Sequence, residues 1–183
     1  MNNLILLPPF LPLLLGALAA ILLRGWLRNT FMLLAPVLGA LNLAAIEPGI
    51  FWSLEFMGYA LEPVRVDKLS LMFGYLFHLA SFIAIIYALH VKDTVQHVAA
   101  LAYAASAVGD VFAGDLLTLF VFWELLALTS VFLIWARRTD KAYSSGLRYF
   151  IIQVLSGVML LAGLLIFAQL NNSLLFNEIG LEH

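Results

Sequence analysis

The sequence predicts an all-α integral membrane protein with about six transmembrane helices. Of its 183 residues, 64% are hydrophobic and only 11% are charged, whereas soluble domains carry roughly 25% charged residues. The hydrocarbon core of a bilayer is about 30 Å thick, so a helix needs about 20 mostly apolar residues to cross it. Apolar stretches of about this length occupy residues 4–23, 30–47, 69–90, 95–113, 116–136 and 147–170. We therefore expect a single transmembrane domain over residues 1–183 and no soluble domain.

The few charges and the absence of cysteine exclude several classes of function. A formal net charge of −2 indicates neither a nucleic-acid partner nor an acidic substrate. Without cysteine, the chain cannot form disulfides or thiolate-bound iron–sulfur or zinc sites. We expect no cofactor, no metal site and no catalytic chemistry in this chain. The N-terminus lacks the basic residues of a signal peptide, so we expect no cleaved leader.

The basic residues predict the orientation of the spans. Connections between successive spans alternate between two sides, and seven of the nine basic residues fall on one of them. These seven are Arg24, Arg28, Lys92, Arg137, Arg138, Lys141 and Arg148. The other side carries Arg65 and Lys68 among Glu47, Glu55, Glu62, Asp67 and Asp115. The positive-inside rule makes the first side cytoplasmic, which predicts a multi-pass protein of the cell inner (plasma) membrane with both termini outside.

The second and third spans are separated by a long outer connection. Residues 48–66 hold two short aromatic or β-branched runs around Gly58, which fit a small β-hairpin and an irregular amphipathic loop equally well. Asp67 then suits the N-cap of span three. His78 lies near the middle of that span, where an imidazole can relay protons near neutral pH. The alternative is a hydrogen bond that packs two helices, and a lone deep histidine gives little indication of a haem.

Two acidic residues flank the tight joint between spans four and five. Asp110 lies within about two turns of the outer end of span four, so it either reaches the interface or serves an ion path. Asp115 directly follows Gly114 and suits the N-cap of span five. A gating or cation-attracting role for Asp115 is the alternative.

Glu124 is the leading functional residue, because it lies in the middle of the very apolar fifth span with no neutralising charge nearby in sequence. Burying an ionised carboxylate in hydrocarbon costs several kcal/mol, so such residues usually face a protein interior or a water-filled path. Nine helical steps, about 13 Å, separate it from Asp115 at the outer mouth. One carboxylate at the outer mouth and one near the middle of the membrane suit a proton or cation path. A structural hydrogen bond between helices is the alternative.

Arg148 places a cation one or two turns inside span six. Its side chain either snorkels to the inner surface or acts as the charge partner of a carboxylate such as Glu124 on a neighbouring helix. The small residues Ser156, Gly157, Ala162 and Gly163 on the same span predict close packing between helices rather than chemistry.

Three segments resemble one family of membrane proteins. The segment Gly114–Ser130, with Val66–Phe73 before it and Leu147–Gly157 after it, is similar to the N-terminal part of the antiporter-like subunits of Mrp-type sodium/proton antiporters, respiratory complex I and membrane-bound hydrogenases. The D subunit of Mrp antiporters is the nearest type. The resemblance implies that Glu124 is the key carboxylate of the fifth helix, working with a lysine on a broken seventh helix. It also implies two inverted five-helix repeats, the first beginning at the fourth helix.

The resemblance covers only part of such a subunit. Residues 1–90 correspond to helices one to three with the outer loop 48–66, and residues 91–183 correspond to helices four to six at the start of the first repeat. The central lysine and the second repeat are not in this sequence, and Lys141 lies in the basic inner loop, where it cannot replace that lysine. Asp110 also stands where a small or apolar residue is expected. We expect a split subunit whose other chain supplies the missing lysine helices; the alternative is a truncated relative kept as a structural half.

The sequence leaves three functions open. The first is proton translocation, with Na⁺ as the exchanged cation, in a multi-subunit antiporter. The second is the proton-pumping arm of a redox complex, of the NADH/quinone oxidoreductase or membrane-bound hydrogenase kind. The third is a non-transporting membrane scaffold. All three predict other membrane subunits and the lipid bilayer as partners, and none involves a nucleic acid.

Overall fold

The computed structural model describes residues 7–176, which form six helices and one β-hairpin. The elements are α1 (Leu11–Leu22), α2 (Gly25–Ala44), β1 (Gly49–Phe56), β2 (Tyr59–Val66), α3 (Lys68–Ala88), α4 (Thr94–Val111), α5 (Leu116–Trp135) and α6 (Asp140–Asn171). Their order is the one predicted from the apolar stretches. The first residues of the predicted span 4–23 lie outside the described part of the chain.

Within the described residues, four helices are long and apolar enough to cross a membrane, namely α2, α3, α5 and α6. The apolar helix α1 has 12 residues, and α4 has 18 but carries several polar side chains. Because α4 packs against α1, α3 and α5, it needs little apolar surface toward lipid. The multi-pass helical architecture predicted from composition is confirmed.

Helix α6 begins seven residues before the predicted span and has 32 residues. Its N-cap is Thr139, whose hydroxyl accepts from the backbone N–H of Ala142 at 3.1 Å. A hydropathy pattern detects only the apolar part of a helix, so the polar first two turns were predicted as loop. Lys141 therefore lies in the first turn of α6 rather than in a connection.

The outer connection is a hairpin, which resolves the two alternatives for residues 48–66. Strands β1 and β2 pair antiparallel, with Phe56 opposite Tyr59. The two residues between them, Met57 and Gly58, have φ values of 53° and 85°, as tight hairpin turns require. The hairpin packs on the α4–α5 joint, where the N–H of Gly114 donates to the carbonyl of Glu62 at 2.9 Å.

The main apolar core lies among α1, α2, α3 and α4. Its fully buried side chains include Leu13, Met32, Leu43, Val108 and Phe112. Helix α5 packs against α4, and α6 packs against α5 at the edge of the bundle. Much of α6 is therefore exposed on the surface of the described chain.

The connections rich in basic residues gather at one end of the bundle. Arg138 forms an ion pair with Asp93 at 2.9 Å, which joins the α5–α6 and α3–α4 connections. Arg28 donates to the hydroxyl of Thr94 at 3.4 Å. The hairpin lies at the opposite end, beside the α4–α5 joint. Charges therefore segregate as predicted, while the assignment of the basic end to the cytoplasm stays a prediction.

Candidate ion-translocation site around Glu124

The start of α5 is fixed by Asp115, which is fully buried. Its Oδ1 accepts from the backbone N–H of Thr118 at 2.8 Å. Its Oδ2 accepts from the Thr118 hydroxyl at 2.8 Å and from the N–H of Glu62 in β2 at 2.9 Å. The predicted N-cap is thus present, and the same carboxylate ties α5 to the hairpin. Asp67 likewise caps α3, accepting from the N–H of Ser70 at 2.7 Å.

We expect Asp115→Ala to destabilise the protein strongly, because it removes the cap and leaves the buried N–H of Glu62 without an acceptor. Loss of an N-cap costs about 1 kcal/mol, and a buried unsatisfied donor costs about 1–3 kcal/mol more. Thermal unfolding in detergent should show a clearly lower midpoint. The matched variant is Asp93→Ala, which removes an exposed cap on Val95 and a surface ion pair, and it should cost less. Equal losses would contradict the role given to the Glu62 contact.

Glu124 points from α5 toward α6. Its carboxyl group lies against Gly157, where an added Cβ would sit 2.7 Å from Cδ of Glu124 and closer still to Oε1. Among the residues that the structure describes, Oε1 is buried and has no hydrogen-bond partner. Because Gly157 has no side chain, the carboxyl group of Glu124 can occupy this space. The close helix packing predicted for Gly157 therefore accommodates the leading functional residue.

A cavity of about 390 Å³ opens beside this carboxylate between α5 and α6. Its lining is mostly apolar, and Gln153 provides the amide group that lines it together with Glu124. Gln153 and Gly157 are four positions apart, so both lie on the same face of α6, about 6 Å apart along its axis. The cavity thus holds one carboxylate and one side chain able to donate or accept hydrogen bonds, in otherwise apolar surroundings.

The contact between α5 and α6 carries a second polar group nearer the basic end. The hydroxyls of Ser130 and Tyr149 are joined by a hydrogen bond of 2.9 Å. The sequence reasoning passed over Gln153, Ser130 and Tyr149. A signal was present for Gln153, because its spacing from Gly157 places it on the helix face that meets Glu124. No comparable spacing linked Ser130 to Tyr149, which lie on different helices.

The structure does not bring Arg148 to Glu124. Arg148 and Gly157 are nine positions apart. This spacing places them about 13 Å apart along α6 and half a turn apart around it. Arg148 is exposed, and in the described part of the chain the ion pair within 4 Å is that of Arg138 and Asp93. Of the two interpretations, the snorkelling one fits this position.

His78 is buried between α2 and α3, away from Glu124. Its Nδ1 donates to the carbonyl of Gly74 at 2.7 Å, and its ring fills the space where Gly39 of α2 has no side chain. Asp110 lines a different cavity, among α3, α4 and α5. The predicted site residues therefore do not form one cluster: Asp115 caps α5, and Glu124 alone lies at the α5–α6 contact.

Comparisons with known proteins agree with the predicted resemblance. The family described as "NADH:quinone oxidoreductase/Mrp antiporter, TM" matches residues 113–183. A protein of Staphylococcus saprophyticus named "Putative antiporter subunit mnhA2" is 29% identical over 147 residues, which cover 72% of this chain and 18% of that protein. A protein of the same name from Staphylococcus epidermidis is 32% identical over 111 residues, which cover 56% of this chain and 14% of that protein. Both names describe an antiporter subunit, as the sequence motifs predicted.

Two solved structures share the fold. A chain of an archaeal respiratory membrane complex, the membrane-bound sulfane sulfur reductase, has a TM-score of 0.82 at 23% identity and covers 97% of this chain and 30% of its own. A chain of respiratory complex I from Thermus thermophilus has a TM-score of 0.74 at 21% identity. The match covers 94% of the chain described here and 39% of the complex I chain. This chain thus spans less than a fifth of the curated relatives and under two fifths of these solved chains. The family match and the curated relatives thus make this chain similar to antiporter-like membrane subunits of the Mrp and complex I kind over part of their length, and the solved structures show that it shares their fold.

Proposed function

We propose that this chain is an ion-translocating part of a multi-subunit membrane complex and that Glu124 carries the proton. The observation that supports this most strongly is the buried Oε1 of Glu124, which has no hydrogen-bond partner in residues 7–176 and lies next to a cavity. An unpaired carboxylate at this depth costs several kcal/mol, and a proton path is a reason to keep it. The curated relatives are antiporter subunits, so we assign proton translocation coupled to Na⁺ as the first candidate.

The second candidate is the proton-pumping arm of a redox complex. The two solved structures compared above belong to respiratory complexes, which favours this candidate independently of the curated relatives. The same Glu124 would then move protons under the control of an electron-transfer module in other subunits. In either case we propose that residues 1–90 support the first repeat, which residues 91–183 begin, and that the basic end of the bundle faces the cytoplasm.

Partner chains are part of the proposal, because Glu124 has no counter-charge among the described residues. A carboxylate in a translocation path needs a partner whose charge changes its proton affinity. We propose that an intramembrane lysine of another segment fills this role against the α5–α6 cavity. The broad exposed surface of α6 leaves access to that cavity.

Purification of the native complex through this chain in mild detergent tests the proposal. Its subunits are identified by mass spectrometry, and the complex is reconstituted into vesicles loaded with a pH-sensitive dye. Proton movement driven by a Na⁺ gradient alone would support the antiporter. Proton movement that requires an electron donor and acceptor, with iron–sulfur or nickel–iron subunits present, would support the redox pump. Absence of both from an intact complex would favour the scaffold and contradict ion translocation.

A further inference from the structure

A second groove lies on the opposite side of α5 from Glu124. It has a volume of about 490 Å³ and is formed by α3, α4 and α5. On α5 it is lined by Leu126 and Leu133, and Leu126 lies about 200° around the helix from Glu124. The groove is therefore separate from the proposed ion site, although its volume is typical of a ligand pocket.

The groove runs along much of α4. On α4 its lining extends from Asp110 to His97, which is about 20 Å along the helix axis. The groove is therefore long enough to take one hydrocarbon chain laid along α4.

Small side chains create this space at the surface of the bundle. Ala80 and Ala84 of α3 face Ala104 and Ala107 of α4 across the groove. Ala84 is exposed, so the groove is open at the surface of the described chain. One leaflet of the hydrocarbon core is about 15 Å thick, and the groove is long enough to hold an acyl chain over that whole depth.

Asp110 gives this apolar groove one charged end. It stands one residue before the end of α4, at the end of the bundle that holds the hairpin. Its Oδ1 is buried and has no hydrogen-bond partner among the described residues. A carboxylate oxygen in this position needs a donor, and a cationic donor makes the strongest hydrogen bond with it.

We propose that this groove binds an aminophospholipid of the outer leaflet. Its primary ammonium group donates to Asp110, and one of its acyl chains lies between α3 and α4. A quaternary ammonium head group carries the charge but has no N–H to donate, and an anionic head group is repelled by the carboxylate. Asp110 therefore selects a head group that has N–H donors, and the groove between α3 and α4 holds the acyl chain.

Native mass spectrometry of the delipidated full chain, in the complex with which it purifies, tests this proposal. The protein is titrated with phosphatidylethanolamine, phosphatidylcholine and phosphatidylglycerol that carry identical acyl chains. We expect one phosphatidylethanolamine to bind at least about tenfold more tightly than the other two lipids, a difference of about 1.4 kcal/mol. Equal affinities of the three lipids for the unmodified protein would show an unselective annular lipid and overturn the proposal without any variant.

Variants separate the head-group contact from the groove. Asp110→Asn should remove the preference for phosphatidylethanolamine, while Asp140→Asn, which changes an exposed carboxylate at the basic end, should keep it. Ala84→Leu should weaken all three lipids, while Ala162→Leu on the exposed surface of α6 should not. Circular dichroism and elution volume confirm that each variant is folded.

The occupant is identified directly through residue 84. The chain has no cysteine, so Ala84→Cys provides a single attachment point for a photoreactive group in the native membrane. Crosslinking to phospholipid supports the proposal. Crosslinking to another subunit would show that a protein segment fills the groove and would overturn it, as would a preference that Asp110→Asn leaves intact.

Discussion

Glu124→Gln should reduce ion transport by the reconstituted complex about 100-fold or more. Glutamine keeps the size of the side chain but cannot release a proton, and loss of a proton-transferring side chain typically costs 10²–10⁴-fold in rate. The measurement is the initial rate of pH change in vesicles after a Na⁺ gradient or an electron donor is applied. Glu124→Asp, which keeps the carboxylate but shortens its reach by one methylene, should retain part of the rate.

Two controls make this result specific. Glu55→Gln removes an exposed carboxylate from the hairpin and should leave the rate unchanged. The subunit composition of each variant complex is compared with that of the unmodified one, so that failed assembly is not mistaken for failed transport. An intact Glu124→Gln complex that transports at the normal rate would contradict the role proposed for this residue.

Gly157→Ala should give the second largest loss, about tenfold in the same assay. The added methyl group overlaps the carboxyl group of Glu124, and overpacking of this kind typically costs about 1–3 kcal/mol. The carboxylate must leave its position against α6, so transport falls although no polar group has been removed. A rate measured at saturating and at limiting Na⁺ shows whether binding or turnover changes.

The same helix supplies a matched control for this substitution. Gly163 has no heavy atom within 4 Å of an added Cβ, so Gly163→Ala should leave transport unchanged. Both substitutions improve helix propensity by up to about 1 kcal/mol, and Gly163→Ala alone should gain this stability in full. Equal transport rates in the two variants would mean that the contact between Gly157 and Glu124 does not matter for function.

The sequence predicted the helices because the membrane imposes a simple pattern on them. About 20 apolar residues per crossing revealed the helical order, and the choice of Asp115 and Asp67 as caps followed from their place directly before apolar runs. The start of α6 was wrong by seven residues because polar helical turns at the water boundary look like loop. Hydropathy also could not distinguish the hairpin at 48–66 from an irregular segment, since its aromatic residues suit both.

The surroundings of Glu124 were less accessible to sequence reasoning than Glu124 itself. A lone charge in an apolar run is visible in one dimension, and the family resemblance pointed to the same residue. Its neighbours Gly157 and Gln153 lie about 30 positions away on another helix, and only packing brings them to the carboxylate. The depth of Arg148 makes it a candidate partner, but the helical rotation between positions 148 and 157 turns it to the opposite face of α6.

The bonds at Asp115 determine how α5 can move. The N-terminal end of this helix is attached to β2 through the N–H of Glu62 and to the chain beyond α6, where the N–H of Leu116 donates to the carbonyl of Leu174 at 2.9 Å. Any tilt that keeps these bonds turns about that end, so displacement grows with distance from it. A tilt of about 5° moves the backbone at Glu124 by about 1 Å and that at Trp135 by about 2.6 Å. Glu124 lies closer to the attached end than Trp135 does, so a displacement that a neighbouring subunit imposes at the basic end is reduced to somewhat under half when it reaches the carboxylate.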